Sequence, residues 1–202
     1  MPTHSADRAP RAQAPAGAAM LATELDTLRE HMERYRATTV QVLDALEDDA
    51  DLAWRPTPES FSLGQQLLHV AQCEDYYMRG LLERDWDPHL LVIGRGDGEA
   101  TARVASRAAL RAYFAHVRSR TNRLLDGVTE AELGDVRTDV PGAVVACPLR
   151  WWLWFVLEHE LHHKGQVAVY LRLMGRVAPY YAMPLPIGER PDVAVRAQLG
   201  GI

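Results

Sequence analysis

The sequence predicts an all-α protein, an antiparallel four-helix bundle with long loops and an extended C-terminal tail. Four long segments carry apolar residues at spacings near three and four, which is the period of an amphipathic helix. Stretches rich in proline and glycine separate these segments, and apart from a short run at 144–145 nothing reads as a convincing strand. At 202 residues, one domain can bury a full core without disulfides.

The first part of the chain predicts a tail, a helix and a loop. Residues 1–18 are rich in alanine, proline and polar residues, so we expect a disordered tail followed by a single domain over 19–202. Apolar residues then recur at helical spacing from about residue 20 to residue 47, which predicts a long first helix. Residues 48–61 contain two prolines and a cluster of carboxylates, so they form a connecting loop within the domain.

Two further helices follow with a long loop between them. Ser62 is typical of an N-cap and precedes an amphipathic segment that carries His69 on its apolar face. Residues 85–100 hold three glycines, Pro88 and Trp86, which predicts an irregular loop long enough to fold over a site. Helical spacing returns at 101–127 and predicts the third helix.

The fourth helix is predicted over 148–175. Pro148 suits the first helical position, and Gly175 suits the position just past the end. Residues 151–157 are apolar on every side, so they must be buried among other helices or at a subunit interface. This is more apolar surface than one bundle usually covers, and we therefore expect a homodimer.

Composition and charge exclude several classes of protein. The net charge is −5, the pI is near 5.9 and no predicted face clusters lysine or arginine, so binding to nucleic acid has little support. No stretch reaches membrane-spanning length and no export signal is apparent. The two cysteines make neither a disulfide framework nor a cysteine-type zinc site, which favours a reducing, cytoplasmic location.

A histidine pair on the predicted fourth helix has the spacing of metal ligands. His159 and His163 lie four residues apart, which places both imidazoles on one helix face about 6 Å apart along its axis. With Glu160 they match His-Glu-x-x-His, in which two histidines bind zinc and the glutamate is the general base of a metalloprotease. The context does not favour a protease, because no histidine follows His163 and the single later glutamate, Glu189, lies in a proline-rich tail. A third ligand can come from upstream, where His69 is the candidate expected mid-helix in the core.

Two segments carry a resemblance to a known family. FSLGQQLLHVAQCEDYY and, about 90 residues later, LEHELHHKGQVAVYLRLMG resemble the DinB/YfiT-like superfamily of metal-dependent enzymes over roughly residues 22–180. The resemblance implies a bundle of the DinB type, frequent dimers and a metal triad of His69, His159 and His163. His162 then lies outside the triad, about 100° around the helix. The family commonly has arginine where this chain has Lys164.

The triad predicts a catalytic metal site. Three neutral imidazoles leave coordination positions open for water or substrate, and nitrogen ligands suit zinc or nickel first, with iron or copper as further candidates. The resemblance implies a small-molecule substrate and a low-molecular-weight thiol as cosubstrate. The predicted activity is therefore a thiol-dependent S-transfer to small electrophiles.

The sequence is also compatible with three alternatives to S-transfer. One is a hydrolase that uses metal-bound water with Glu160 or Gln166 assisting; another is a non-catalytic, stress-related metal-binding protein, and a third is a histidine-rich bundle without metal. For Glu160, an exposed helix glutamate is the simpler expectation. Cys73, four residues after His69, is expected to be a small buried hydrophobe rather than a fourth ligand.

Overall fold

The computed structural model describes residues 22–91 and 106–179, and within them the protein is the predicted all-α four-helix bundle. The predicted N-terminal tail, most of the 85–100 loop and the C-terminal tail lie outside the described residues. A two-residue antiparallel ladder joins β1 and β2. The elements are α1 Glu24–Gln41, α2 Leu63–Glu83, α3 Arg107–Asp126, α4 Leu149–Leu173, β1 Val136–Arg137 and β2 Cys147–Pro148, with 3-10 turns at Val42–Asp44, Asp49–Ala53, Pro88–Leu90 and Glu132–Gly134.

The ends of the helices that carry the histidines follow from local sequence. The predicted N-cap of α2 is confirmed: the Ser62 hydroxyl accepts from the Gln65 amide, and the Gln65 side chain accepts from the Ser62 amide. Pro148 is the N-cap of α4 rather than its first helical residue. Gly175 has φ +75°, a left-handed conformation in which glycine costs nothing, and it follows the end of α4 as predicted.

Three boundaries differ from the prediction. The first helix was expected to reach residue 47, but α1 ends at Gln41 and continues as a 3-10 turn. Near that end the hydroxyls of Thr38 and Thr39 both donate to the carbonyl of Tyr35, a local alternative that weakens a helix. The third helix begins at Arg107 after the N-cap Ser106, while 101–105 lie outside the described residues. The strand expected at 144–145 is wrong, since both valines are exposed and the ladder forms beside them.

Two apolar clusters occupy the ends of the bundle. The first cluster joins the beginning of α1, the end of α2 and the beginning of α4, with Leu28, Leu81 and Leu153 among its members. The second joins the beginning of α2 to the end of α4, with Leu67 and Leu171 among its members. The middle of the bundle lies between them.

The middle of the bundle is a buried polar layer, which we define as Arg36, Glu74, Arg118 and Glu160, one residue from each helix. Arg36 Nε donates to Glu160 Oε1 at 3.1 Å, and its Nη2 donates to Glu160 Oε2 at 3.1 Å and also to Glu74. Arg118 Nε and Nη2 donate to Glu74 at 3.0 and 2.9 Å. Each of the four is at most 6% exposed. Because every helix contributes a charge, the layer fixes how each helix is rotated about its axis.

The expectation that Glu160 is an exposed helix glutamate is wrong, because its side chain is 3% exposed and lies in the polar layer. Besides Arg36, it accepts a hydrogen bond from the hydroxyl of Thr39 at 2.6 Å. A buried carboxylate is tolerated when such partners replace the water that it loses. The partners come from α1, more than a hundred residues away in sequence, so the spacing within α4 could not reveal them.

Acid is expected to destabilise the protein through Glu74. Burial alone would raise the pKa of Glu74, but the charges of Arg36 and Arg118 and the hydrogen bonds from Arg118 and Thr121 outweigh it and lower the pKa to about 2. An unfolded glutamate has a pKa of about 4.3, so below that pH the unfolded state binds more protons. The free energy of unfolding should therefore fall by about 2 kcal/mol as the pH drops from about 4.3 to 2.

Urea titrations of the wild type and of Glu74→Gln over this pH range test the assignment. The variant lacks the titrating carboxyl and should lose less stability than the wild type between pH 4.3 and 2. Equal pH dependence in both proteins would show that Glu74 is not the group responsible.

The surface of α4 bears on the predicted homodimer, which stays a prediction. Within 151–157, Trp151 is 48% exposed while the other residues are buried or half-buried by the chain's own helices. The apolar surface that motivated the dimer is thus mostly covered, and sedimentation at micromolar concentration is the test. No helix among the described residues is long and apolar enough to cross a membrane.

Candidate metal centre

Three histidines from two helices meet at the level of the polar layer. His69 lies on α2, two turns after its N-cap, and His159 and His163 lie one turn apart on α4. Each offers a ring nitrogen, and these nitrogens all lie within 4.8 Å of one another. The Nε2 atoms of His159 and His163 are 3.1 Å apart. The structure therefore brings together the three residues that the sequence predicted as metal ligands.

The separation of the histidine nitrogens is compatible with a divalent transition metal. A tetrahedral zinc ion with Zn–N bonds of about 2.0–2.1 Å holds two ligand nitrogens about 3.3 Å apart, close to the separation of His159 and His163. The ring centroid of His69 lies 5.0 Å from that of His159 and 4.8 Å from that of His163, so the third imidazole lies beside the other two.

The protonation states fit as well, because a histidine must be neutral to bind a metal. Burial, with the charge of His163, lowers the pKa of His69 to about 4. Burial, again with the charge of His163, lowers the pKa of His159 to about 3. Burial also lowers the pKa of His163, although the hydrogen bond to Gln166 acts in the opposite direction and raises it. All three imidazoles are therefore neutral at pH 7 and hold no proton that a metal would have to displace.

Two glutamines fix the orientation of His163. The Oε1 atoms of Gln66, on α2, and of Gln166, one turn on along α4, each lie 2.8 Å from His163 Nδ1. Because amide oxygens accept hydrogen bonds, Nδ1 carries the proton and Nε2 presents its lone pair to the other histidines. Gln166 was predicted to assist at the site, whereas Gln66 was missed. Its position three residues before His69, on the same helix face, was the available signal.

Removing the Gln66 amide is expected to weaken metal binding. Gln66→Leu leaves the three histidines in place but removes one of the two acceptors that hold Nδ1, and losses of this kind cost about 10–100-fold in metal affinity. Competition with a chromophoric chelator measures the change. Gln72→Leu is the matched control: Gln72 is also a buried α2 glutamine, and its amide has no hydrogen-bond partner among the described residues. Equal affinities in the two variants would contradict the role of Gln66.

Three residues near the triad, Cys73, His162 and Lys164, make contacts of their own. Cys73 is buried, as predicted, with its Sγ 3.5 Å from both ring nitrogens of His69, and burial raises the pKa of its thiol to about 12. It is thus a protonated thiol at pH 7. His162 is exposed, and its Nε2 pairs with the Gln166 amide at 3.1 Å. Lys164 is buried and donates to Thr38 Oγ1 on α1. Burial lowers its pKa to about 8, although the charge of Glu160 acts to raise it.

A cavity of about 680 Å³ opens between α1 and α3 and is lined by residues of those helices, not by the histidines. Its buried lining includes Arg36 and Arg118, whose guanidinium groups belong to the polar layer. We place the chemistry at the histidines, because they alone combine neutral donors with metal-ligand spacing among the described residues.

Comparisons with known proteins agree with the fold. The chain is similar to a DinB-like protein of Bacillus cereus ATCC 10987, with 20% identity over 81% of this chain and all of that one and a TM-score of 0.62. It is also similar to a DinB-like protein of Bacillus subtilis, with 21% identity over 78% of this chain and 99% of that one and a TM-score of 0.59. A conserved protein of Enterococcus faecalis gives 22% identity over 78% and 99% of the two chains, with a TM-score of 0.58.

These likenesses establish the fold, and no curated protein matches the chain. The sequence profile of the DinB superfamily matches residues 31–167, about two thirds of the chain, and this match spans all three histidines. The four-helix bundle, the histidine cluster at its middle and the extent of this match together lead to one assignment. The chain belongs to the DinB superfamily.

Proposed function

We propose that the protein is a metal-dependent thiol S-transferase that acts on small electrophiles. The observation that carries the proposal is the cluster of three imidazoles, whose nitrogens lie within 4.8 Å of one another. Such a set leaves coordination positions open, as catalytic metal sites do. Zinc and nickel are the first candidates, followed by iron.

The residues of the chain hold and orient the reacting groups. His69, His159 and His163 would hold the metal, which when bound lowers the pKa of a thiol at an open position. Gln66 and Gln166 keep the His163 Nε2 lone pair directed at the site. The thiol gives its proton to solvent and its sulfur forms the new bond to carbon. The electron pair of the bond that breaks departs with the halide of a haloarene or stays on the ring oxygen of an epoxide, which then takes a proton from solvent.

The surroundings of Glu160 favour thiol transfer over hydrolysis. A hydrolase of the His-Glu-x-x-His type needs its glutamate free to accept a proton from water. Here Glu160 accepts from Arg36 with both oxygens and from Thr39 with one. Gln166 carries an amide, which does not accept a proton at neutral pH. A thiol needs only a lowered pKa, so S-transfer does not require Glu160 or Gln166 to accept a proton.

Two other functions stay open to the same experiment. Hydrolysis with Glu160 assisting would require Glu160 to leave the polar layer, and with Gln166 assisting it would require another group to accept the proton from water. A stress-related metal-binding protein without catalysis would need only the histidines. The three functions differ in their requirement for a thiol and for turnover.

Metal-loaded full-length protein should be incubated with cellular thiols and electrophiles such as 1-chloro-2,4-dinitrobenzene and epoxides, and in parallel with ester and amide substrates. We expect thioether products that require both the thiol and the protein and that disappear in His163→Ala. His162→Ala, the exposed neighbour, is the matched control and should retain activity. Cleavage of esters or amides without a thiol would contradict S-transfer. If neither set of substrates gives a product and the protein retains its metal, the result would favour a metal-binding protein without catalysis.

A further inference from the structure

A row of aromatic rings on α4 leads from solvent to the candidate metal centre. Trp151, Phe155 and His159 are spaced by four residues and therefore lie on one helix face. Trp151 is 48% exposed and stacks on Phe155 with ring centroids 5.7 Å apart and planes within 6° of parallel. Phe155 is half-buried, with its ring centroid 6.3 Å from that of His159. The aromatic row is thus continuous with the site.

Other rings pack against the aromatic row and against His69. Tyr77, on α2, packs edge to face against Phe155 with centroids 5.2 Å apart. Phe61, just before α2, is half-buried with its ring 6.1 Å from that of His69. A half-buried phenylalanine thus lies beside His69 and another beside His159, and the ring of Trp151 stacks on the second of them.

The size and position of the exposed surface favour a small molecule over a second copy of the chain. Within 151–157, Trp151 is the one exposed residue, so the uncovered apolar surface is about that of one indole. A stable protein interface buries about 800 Å² on each partner. A planar ring stacked beside Phe155 would lie next to His159 and hence beside the open coordination positions.

We propose that the aromatic row Trp151–Phe155 is the subsite for the electrophile, and that the substrate class is a small planar aromatic molecule. The proposal rests on the proposed S-transfer at the histidines and adds to it the chemistry of the molecule that receives the sulfur. Aromatic rings stack in offset or edge-on geometry and gain attraction beyond simple burial, whereas a saturated ring of the same skeleton gains burial alone.

Binding can be measured without chemistry. Isothermal titration of the metal-loaded full chain with 2-naphthylmethanol and with its decahydro analogue compares a planar ring system with a saturated one. The saturated analogue is at least as apolar, so burial alone gives it no disadvantage. We expect the naphthyl compound to bind about tenfold more tightly, and we expect this preference to disappear in Trp151→Leu and Phe155→Leu.

Trp54→Leu is the matched control. Trp54 is also half-buried and packs edge to face against an aromatic residue of α4, Tyr170, with ring centroids 5.4 Å apart. This variant should keep the naphthyl preference. Equal binding of the two probes to the wild type, or loss of the preference in Trp54→Leu as well, would overturn the subsite. A dimer that dissociates in Trp151→Leu would overturn it too, because the same face would then be an interface.

The subsite and the proposed function can fail separately. A naphthyl preference that depends on Trp151 and Phe155, found in a protein that forms no thioether, would uphold the subsite and reject S-transfer. Thioether formation with equal rates for 1-chloro-2,4-dinitrobenzene and an alkyl halide of matched intrinsic reactivity would uphold S-transfer and reject the aromatic subsite. Metal content, measured in every variant by elemental analysis, separates both outcomes from simple loss of the metal.

Discussion

Replacing Arg36 by methionine is expected to lower the free energy of unfolding by about 3–5 kcal/mol, because breaking a buried ion pair leaves a poorly compensated charge. Glu160 would lose the guanidinium that donates to both of its oxygens and would keep a contact of 3.5 Å with Arg118, and Glu74 would lose one of its two arginine partners. Arg36 bridges Glu160 and Glu74, and all three side chains are at most 6% exposed. Methionine keeps most of the apolar stem, so the loss is mainly electrostatic. Denaturant unfolding followed by circular dichroism measures the change.

Arg34→Met is the matched control, two residues earlier on α1. Arg34 pairs with Glu30 one turn away, and both side chains are more than a quarter exposed. An exposed pair of this kind contributes between about 0 and 1 kcal/mol. A similar loss of unfolding free energy in both variants would indicate that the buried pairs of Arg36 contribute no more to stability than the pair of Arg34 with Glu30.

Replacing His159 by alanine is expected to abolish stoichiometric metal binding. Chelator-treated protein that is reloaded and dialysed should hold about one metal ion per chain, whereas the variant should hold none, since two imidazoles rarely retain a transition metal against solvent. Elemental analysis measures the content. Far-ultraviolet circular dichroism should remain that of a folded helical protein, because His159 is not part of the polar layer.

His162→Ala should retain the metal. It changes the same residue type on the same helix, three residues away and on an exposed face. A metal ion that remains at full stoichiometry after His69, His159 and His163 are all replaced by alanine would show that the triad is not the binding site.

The fold was predictable because its signals are local. The spacing of apolar residues, the N-cap Ser62 and Gly175 beyond α4 each depend on a few neighbouring residues, and the structure follows them. The early end of α1 was missed because threonine hydroxyls compete for a carbonyl within a segment that still has helical spacing.

The site was predictable in part. His159 and His163 follow from spacing on one helix, whereas His69 needed both its place on an apolar face and the family resemblance. Arg36 could not be recognised, since an arginine in a helix is ordinarily a surface residue, and only the packing of α1 against α4 reveals that its side chain points inward. Gln66 was missed although it shares a helix face with His69, because a glutamine in a helix is also ordinarily a surface residue.

The polar layer has a consequence for how a metal would bind at the candidate centre. In a zinc finger the cation supplies the free energy that folds the chain, so binding and folding are one event. Here Glu160, between His159 and His163 on α4, is already anchored to α1 by Arg36 and Thr39. A cation at the candidate centre would therefore bind to a scaffold that these contacts already hold together, and its loading would not be needed to fold the chain. The ion that binds would then depend on the supply of ions, within the range that imidazole nitrogens accept.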